Sequence, residues 1–465
     1  MIRYLFFLLL LLSCQDKQIV VSNPTIIPKP VKMILNEGFY NWSSNAQIIS
    51  DSLFVSEKKY FQKLFSIQDV KEKNKIYFKK NNLLLNEEYF LKISENQITI
   101  EASSPNGIMH GIQSLRQIVP INENISSKKI SINCLEIHDF PRFKWRGLLL
   151  DCCRHFMQKD FVKRYIDLLA FHKMNILHWH LTEDQGWRIE IEKYPKLTEI
   201  GAWRENKDGE KYGGFYTKKD IKEIVLYAKD RGIEIVPEIE LPGHSVAAIA
   251  SYPHLSCTGD SIKVETDWGV FKDIYCAGND SVFTFLEDVL EEVIELFPSK
   301  YIHIGGDEAP KYHWENCSKC QKRIINNNLK DEHELQSYFI KRIGDFLKTK
   351  NKRLIGWDEI IEGGIPENAI IQSWRGMEGG IVAAKNQNQA IMSPTSHCYF
   401  DYDLDAINLE KVYSFEPIPK ELNQFESKFI IGGECNMWSE RAPQDLIDSK
   451  VFPRILAMSE VLWSE

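Results

Sequence analysis

The sequence lacks several features that would assign it at once to a class of protein. After Leu12, no segment approaches the roughly 20 unbroken apolar residues of a membrane-spanning helix, so we expect no further membrane segment. The 57 basic and 65 acidic residues leave a net charge of -8 and are not gathered into blocks, which argues against a nucleic-acid partner. At 465 residues, the chain is long enough for two domains, one of which could be a complete α/β barrel.

A regular cysteine framework is also missing. The ten cysteines are scattered, and only Cys317 and Cys320 have the spacing of metal ligands. A structural zinc site needs a second pair of ligands, which the neighbouring sequence does not provide. We therefore interpret this pair as a local disulfide, which an exported compartment permits, and most of the other cysteines as core residues.

The N-terminus predicts an export signal. A basic start is followed by an apolar run over residues 4–12 that is too short to span a bilayer. The run ends at Leu11-Leu12-Ser13-Cys14, which resembles the bacterial lipobox, whose cysteine is acylated after cleavage. Residues 1–21 are thus expected to be a lipoprotein signal and tether that anchors the chain at Cys14. Sorting to the outer membrane is expected, and the sequence does not predict whether the chain lies on the periplasmic or the cell-surface face. The alternative is an ordinary signal peptide in which Cys14 is incidental.

Residues 22–138 predict a small α+β domain. Residues 88–94 and 97–103 alternate between apolar and polar side chains, as a pair of strands exposed on one face does. Residues 107–119 place apolar side chains at helical intervals. The domain is expected to end at residue 138, where the alternating strand and helix pattern of the second domain begins.

Residues 139–465 predict a (β/α)8 barrel, giving an α/β fold overall. Short apolar runs, typical of strands buried on both faces, alternate with longer amphipathic segments such as 218–231, 281–297 and 334–350. A doubly wound sheet would need a glycine-rich phosphate loop after its first strand, and none is present there. The eight predicted strands begin near Leu148, Asn175, Glu234, Tyr301, Arg353, Ala369, Gln389 and Phe429.

Two adjacent acids follow the fourth predicted strand. Catalytic groups of such barrels lie where strands end, and this strand ends in Gly305-Gly306-Asp307-Glu308. Paired glycines let the backbone turn tightly beside a ligand. The alternative is that the acids only cap the next helix, because acidic residues favour helix N-termini.

Aromatic residues at other strand ends favour the catalytic interpretation. Trp357, Trp374 and Trp438 follow the fifth, sixth and eighth strands, although a single tryptophan is more often a core residue. Tryptophan stacks on the apolar face of a pyranose ring, while neighbouring polar groups bind the hydroxyls. Tyr399 and Asp401 add polar groups after the seventh strand. The sequence therefore predicts a carbohydrate site.

Four segments carry a specific resemblance to a known family. They are Arg146-Gly-Leu-Leu-Leu-Asp-Cys-Cys-Arg-His155, His178-Trp-His-Leu-Thr-Glu-Asp-Gln-Gly-Trp-Arg188, Pro237-Glu-Ile-Glu-Leu-Pro-Gly-His244 and Ile304-Gly-Gly-Asp-Glu308. The order and approximate spacing of these segments are those of the family-20 glycoside hydrolases, the β-N-acetylhexosaminidases, which the sequence resembles over nearly its whole length. The resemblance implies an exo-acting hydrolase that removes terminal β-linked N-acetylhexosamine from an oligosaccharide or glycoconjugate, with no cofactor and no metal.

The resemblance also implies a retaining mechanism, in which the acetamido carbonyl of the substrate attacks the anomeric carbon. Glu308 would protonate the leaving oxygen and later activate water, while Asp307 would hold the acetamide N–H and offset the charge of the oxazolinium-like intermediate. His244 and Glu183 would support the general acid; relatives often have the shorter Asp in place of Glu183. The sugar would be bound by Arg146, Trp357, Trp374, Tyr399, Asp401, Trp438 and Glu440.

Several alternatives stay open in the sequence. His178, His180 and His303 could bind a metal, but hydrogen bonding inside the barrel is the preferred interpretation. The chain stops at Trp463-Ser-Glu465, inside the predicted last helix, which is expected to fray. Release of a disaccharide or a sulfated hexosamine is a competing activity, and a catalytically silent sugar-binding lipoprotein is a competing class. The oligomeric state is not predicted.

Overall fold

The computed structural model describes residues 19–71, 73–120, 130–206 and 209–465. The chain forms two compact units, one ending at Asp139 and the other comprising Phe140–Glu465 together with Ile27–Lys29. The predicted signal and the lipidation site at Cys14 lie outside the described residues. None of the helices in the described ranges combines the length and the hydropathy that a bilayer crossing requires.

The first unit is a mixed sheet with two α-helices. Its strands alternate between buried and exposed side chains, so that Leu91 and Ile93 are buried while the residues between and beside them are not. The second helix lies so close to the sheet that a Cβ atom on Gly111 would come within 2.5 Å of Ile100. The strands are Ile19–Val21, Lys32–Trp42, Asn45–Ser50, Gln68–Asp69, Lys75–Lys80, Tyr89–Ser94, Gln97–Ala102 and Ile130–Asp139, and the helices are Val55–Leu64 and Pro105–Ile118.

The second unit is a closed barrel of eight parallel strands, which confirms the predicted (β/α)8 fold. Each strand pairs with the next one along the chain, and the eighth pairs with the first. Nearly every strand residue is buried, because helices cover the outside of the barrel. The strands are β1 (Trp145–Asp151), β2 (Ile176–His180), β3 (Glu234–Leu241), β4 (Tyr301–Gly305), β5 (Arg353–Trp357), β6 (Ile370–Ser373), β7 (Ala390–Met392) and β8 (Ile430–Met437).

Helices follow the strands, and local chemistry fixes where several of them begin. Thr217 and Asp220 form a capping box, in which each side chain accepts a hydrogen bond from the backbone amide of the other. Asp331 accepts from two amides at the start of the helix before β5. The helices are Lys159–Phe171, Lys196–Glu199, Lys218–Lys229, Val246–Ser251, Asp280–Leu296, Tyr312–Asn316, Ser318–Asn326, Glu332–Thr349, Glu378–Lys385, Thr395–Cys398, Leu409–Tyr413, Ile447–Val451 and Arg454–Trp463.

The interior of the barrel contains a buried ionic network. Nδ1 of His178 lies 2.7 Å from Glu434, and its Nε2 lies 3.2 Å from Glu238. Nδ1 of His303 lies 2.7 Å from the other oxygen of Glu238. Burial opposes the charge on His178, but the two glutamates outweigh it and raise the pKa of His178 to about 10. These histidines therefore bond to carboxylates inside the barrel, as the preferred interpretation of the sequence expected.

The final helix is anchored rather than frayed. Trp463 is completely buried, and its carbonyl accepts a hydrogen bond of 2.8 Å from the Arg142 amide. The carbonyl of Leu462 accepts a second bond from the Phe143 amide, at 3.1 Å. The segment that leads into β1 thus holds the end of this helix in place, so the expectation of fraying is wrong.

Candidate active site

A sharp turn after β4 presents the two adjacent acids. Gly306 has φ +95°, and Glu308 has φ +41°, a conformation that residues other than glycine adopt rarely and that is concentrated at functional sites. The next helix is Tyr312–Asn316, whose N-cap position is Lys311. Asp307 and Glu308 therefore do not cap this helix, which removes the alternative explanation of the pair.

Asp307 is a buried carboxylate with an unused acceptor. The residue is 9% exposed, and its Oδ2 lies 3.8 Å from Nε2 of His244. Its Oδ1 is buried and has no hydrogen-bond partner in the described part of the chain. Burial raises the pKa of Asp307 to about 7, with a smaller opposing effect of His244. A buried acceptor without a donor is costly, so this oxygen is arranged to receive a hydrogen bond from a bound molecule.

Glu308 stands in a wetter and more positive environment. Its side chain is 40% exposed, and its Oε2 lies 3.6 Å from Nε2 of His244. The interaction with His244 lowers the pKa of Glu308, and partial burial opposes this shift. The pKa of Asp307 is thus raised while that of Glu308 is lowered. The mechanism implied by the resemblance needs the opposite order, with the proton on Glu308.

His244 connects the acid pair to a buried network. Its Nδ1 lies 2.8 Å from Oε1 of Glu183 and 3.3 Å from Asp184. The other oxygen of Glu183 lies 2.9 Å from Arg154 and 3.2 Å from Nε2 of His180. Burial lowers the pKa of His244, but these acids outweigh it and raise that pKa well above its ordinary value. A charged imidazole has donors on both nitrogens, so one can bond to Glu183 while the other points at the acid pair.

Arg146 does not belong to this site. It is the second residue of β1, at the N-terminal end of the strand, and is completely buried. Its Nε donates to the carbonyl of Lys173 at 2.8 Å, its Nη1 donates to that of Phe143 at 2.7 Å, and its guanidinium lies over the Trp463 ring. The N-terminal ends of barrel strands are opposite the catalytic face. The prediction that Arg146 binds the sugar is therefore wrong, because its donors are used within the bottom of the barrel.

Arg154 is the arginine at the catalytic face, and the sequence analysis missed it. It follows the end of β1 by three residues, which is the position that the strand-end rule selects. Its Nη2 bonds to Glu183, its Nη1 lies 3.5 Å from Asp151, and its guanidinium lies 5.0 Å above the Trp438 ring. Its Nη1 is buried and makes no hydrogen bond within the described residues, so it has a donor to offer a ligand.

The predicted aromatic residues form a continuous wall. The ring centroids of Trp357 and Trp438 are 5.9 Å apart, those of Tyr399 and Trp438 are 6.4 Å apart, and those of Trp374 and Tyr399 are 6.2 Å apart. Nε1 of Trp357 donates to Glu238 at 3.0 Å, which fixes this ring to the barrel interior. Burial raises the pKa of Tyr399, and the charge of Asp307 adds to this effect.

Asp401 and Glu440 line a cavity of about 470 Å³ on the same face, together with Trp268 and Tyr402. Oδ1 of Asp401 is buried and has no hydrogen-bond partner among the described residues. Burial and, to a smaller extent, Glu440 raise the pKa of Asp401 to about 7. Carboxylate oxygens with spare acceptor capacity suit the hydroxyl groups of a sugar.

Adjacent acids at a strand end, an aromatic wall and unsatisfied polar atoms at the same barrel face are an arrangement typical of (β/α)8-barrel glycoside hydrolases. The comparisons with known proteins make this class specific. The glycosyl hydrolase family 20 catalytic domain matches residues 143–465, and domain 2 of the same family matches residues 23–140. The chain belongs to glycosyl hydrolase family 20.

Relatives and solved structures agree with this assignment. A beta-hexosaminidase of Porphyromonas gingivalis is 41% identical over an alignment that covers 98% of this chain and 63% of the relative. A beta-hexosaminidase of Vibrio furnissii is 37% identical, with 80% and 64% covered. The chain thus spans less than two thirds of the length of these two relatives.

Two crystal structures resemble the chain over most of its length. The exo β-N-acetylglucosaminidase of Vibrio harveyi has a TM-score of 0.86 and 33% identity, covering 95% of this chain and 73% of that protein. The β-N-acetylhexosaminidase of Bacteroides fragilis has a TM-score of 0.83 and 36% identity, covering 94% and 90%.

Proposed function

We propose that the chain is an exo-acting, retaining β-N-acetylhexosaminidase that removes terminal non-reducing β-linked GlcNAc or GalNAc. The observation that carries the proposal is the asymmetry of the acid pair. Asp307 is buried with a free Oδ1, whereas Glu308 is partly exposed and lies beside His244. One acid is thus suited to hold a substrate group inside the pocket, and the other is suited to exchange a proton with a leaving group or water.

In the proposed reaction, the acetamido carbonyl of the substrate attacks the anomeric carbon, and Glu308 donates its proton to the departing glycosidic oxygen. The free Oδ1 of Asp307 accepts the acetamide N–H and stabilises the positive charge of the oxazolinium ring. Glu308 then takes a proton from water, which opens the ring and gives a product of unchanged anomeric configuration. Trp357, Trp374 and Trp438 enclose the acetamide and the sugar ring, and Tyr399 donates to the acetamide oxygen.

Substrate binding is expected to reverse the protonation order of the free site. The acetamide N–H and the developing positive charge favour an ionised Asp307, which lowers its pKa. The sugar also displaces water from Glu308, and loss of solvent favours its neutral, proton-bearing form. The pair therefore reaches its working state only when an N-acetylated sugar occupies the pocket. A sugar without the acetamido group supplies neither effect, so we expect it to be a poor substrate.

The sugar hydroxyls are assigned to groups with unused hydrogen-bonding capacity. Arg154 takes the role that the sequence gave to Arg146, because its Nη1 is a buried donor at the catalytic face. Asp401 and Glu440, which line a cavity at the same face of the barrel, accept from other hydroxyls of the sugar. The preference for a terminal sugar residue rests on the resemblance to exo-acting family members.

The proposed cellular location comes from the N-terminal sequence alone. Residues 1–21 would direct export, and acylation at Cys14 would fix the enzyme to a membrane, most simply the outer membrane. Metabolic labelling with a fatty-acid analogue tests this: the label should appear in the chain and disappear in Cys14→Ser. A chain that is exported equally well but never labelled contradicts the anchor and favours an ordinary signal peptide.

The activity is tested with nitrophenyl β-N-acetylglucosaminide and β-N-acetylgalactosaminide, followed by NMR of the first product anomer. Hydrolysis with β-configured product, and inhibition by a thiazoline mimic of the cyclic intermediate, are expected. Inversion would refute the proposed mechanism. Hydrolysis only of disaccharide or sulfated glycosides would show that the chain releases a disaccharide or a sulfated hexosamine instead. Glycan binding without any hydrolysis would identify a catalytically silent binding protein.

A further inference from the structure

Four cysteines from three separate segments meet beside the barrel. Cys257 follows the turn Pro253–Leu255, and Cys276 precedes the helix Asp280–Leu296, while the other two are the Cys317 and Cys320 pair. Their ligand atoms all lie within 4.8 Å of one another. All four thiols are free, so the local disulfide expected for the pair is not formed.

The sulfur separations are those of a single tetrahedral ion. Sγ of Cys276 lies 3.8 Å from that of Cys317 and 3.7 Å from that of Cys320, which is itself 3.7 Å from that of Cys257. A zinc–sulfur bond of about 2.3 Å gives a tetrahedron with an edge of about 3.8 Å. A disulfide would require a separation of about 2.05 Å, with the sulfurs grouped in pairs. The three separations of 3.7–3.8 Å match the edge of such a tetrahedron, and all four sulfurs lie within 4.8 Å of one another.

The backbone around the sulfurs is shaped for this close approach. A Cβ atom on Gly278 would lie 2.3 Å from the amide nitrogen of Cys320, so only glycine lets the two chain segments come together here. The amide of Cys276 donates to Leu255 at 2.9 Å, which places Cys276 beside the turn that carries Cys257. Three of the four cysteines are buried, and Cys257 is partly exposed. Cys317 and Cys320 flank the first turn of a helix, where the backbone holds their side chains on one side.

We propose that Cys257, Cys276, Cys317 and Cys320 bind one structural zinc ion. Zinc favours four thiolates in tetrahedral geometry, and a site with four protein ligands is closed to substrate. On binding, the four thiols lose their protons, and the ion is neither oxidised nor reduced. The proposal replaces both the local disulfide and the absence of a metal that the sequence suggested.

The zinc would fasten the loop after β3 to the loop after β4. The first of these loops carries His244, and the amide of Tyr275 within it donates to Pro242 at 3.0 Å. The second runs from Glu308 to the cysteine pair, and Nε1 of Trp314 in it donates to the carbonyl of Tyr275 at 2.9 Å. The two loops thus contact each other, and along the chain each connects one part of the cysteine cluster to His244 or Glu308. The ion therefore stabilises the spacing between His244 and Glu308 without contacting substrate.

The direct test is metal analysis of the purified full-length protein together with its intact mass. We expect about one zinc per chain and four thiols that become reactive only after denaturation with a chelator. A mass lowered by two disulfides, iron in place of zinc, or metal-free protein that takes up no zinc after reduction would overturn the proposal. Replacing zinc by cobalt in the reduced protein should give the visible absorption of a tetrahedral cobalt thiolate.

A pair of matched variants locates the metal. Cys276→Ser should lose most of the zinc, whereas Cys134→Ser, which changes a buried cysteine of the other unit, should retain it. Zinc that remains at full stoichiometry in Cys276→Ser would place the metal elsewhere and refute the assignment. If Cys276→Ser does not fold, chelator titration of the unaltered protein replaces it: zinc release should lower the Tm, and added zinc should restore it.

Discussion

Replacing Glu308 by glutamine separates its role in proton transfer from its role in the structure. The side chain is 40% exposed, and its Oε2 lies 3.6 Å from Nε2 of His244. Glutamine has the same shape and can still accept a hydrogen bond from that nitrogen. We therefore expect the free energy of unfolding to change by less than about 0.5 kcal/mol, as for other surface substitutions.

The kinetic effect should depend on the leaving group. General acid catalysis contributes about 100- to 10,000-fold, equivalent to about 3–5 kcal/mol in the barrier. An alkoxide leaving group of a natural glycan needs the whole of this contribution, whereas a nitrophenolate leaves readily without a proton. The rate of oxazoline formation from the aryl glycoside should thus fall less than about tenfold, while kcat on a β-linked disaccharide should fall by about 100-fold or more.

The assay compares the two substrates at saturation, with pre-steady-state measurements to separate ring formation from ring opening. KM for the disaccharide should stay within a few fold, because the glutamine retains the shape of the pocket. Equal turnover of the disaccharide by the variant and the unaltered enzyme would refute the assignment of Glu308. An equal loss on both substrates would show that the residue does not act on the leaving group.

Three other substitutions or conditions test the rest of the site. Arg154→Lys should lower kcat/KM by about 10- to 100-fold, because lysine lacks the rigid donor fork of arginine, whereas Arg146→Lys should lower only the Tm. The reverse pattern would show that Arg146, and not Arg154, binds the sugar. Because the pKa of Asp307 is about 7, kcat/KM should decline above about pH 7, when the acid pair loses its shared proton, and a profile flat to much higher pH would be inconsistent. Gly432→Ala places a Cβ atom 1.9 Å from a backbone oxygen and should cost at least about 2 kcal/mol in unfolding experiments, whereas Gly364→Ala, at positive φ but in open space, should cost about 1 kcal/mol.

The barrel could be predicted from the sequence because its strands are buried on both faces. A run such as Ile176–His180 has no exposed position to interrupt it, and the amphipathic helices between the runs have a different period. Seven of the eight predicted starts lie within one residue of the observed ones for this reason, whereas β1 begins three residues earlier than predicted, at Trp145. The acids and tryptophans at the strand ends followed from the same rule, because the ends of parallel strands share one face of a barrel.

The remaining parts of the site depend on contacts between distant segments. Arg146 and Arg154 belong to the same sequence segment but lie on opposite sides of β1, Arg146 as its second residue and Arg154 three residues beyond its end, so only the exact bounds of the strand show which arginine reaches the catalytic face. Cys257 and Cys276 lie 41 to 63 positions before the cysteines they meet, so no local spacing reveals them. The opposite pKa shifts of Asp307 and Glu308 depend on burial and on His244, which a sequence motif does not encode.

The bond between Trp357 and Glu238 limits how this enzyme can change in evolution or by design. Glu238 also holds His303 and His178, so removing the indole leaves a carboxylate in the centre of the protein with one donor fewer. A smaller residue at position 357 would thus lower the stability of the folded protein, whatever its effect on the range of accepted sugars. Under the proposed function, a change of accepted glycan is expected more readily at Asp401 and Glu440, which lie in the segments after β7 and β8 and not in the strands themselves.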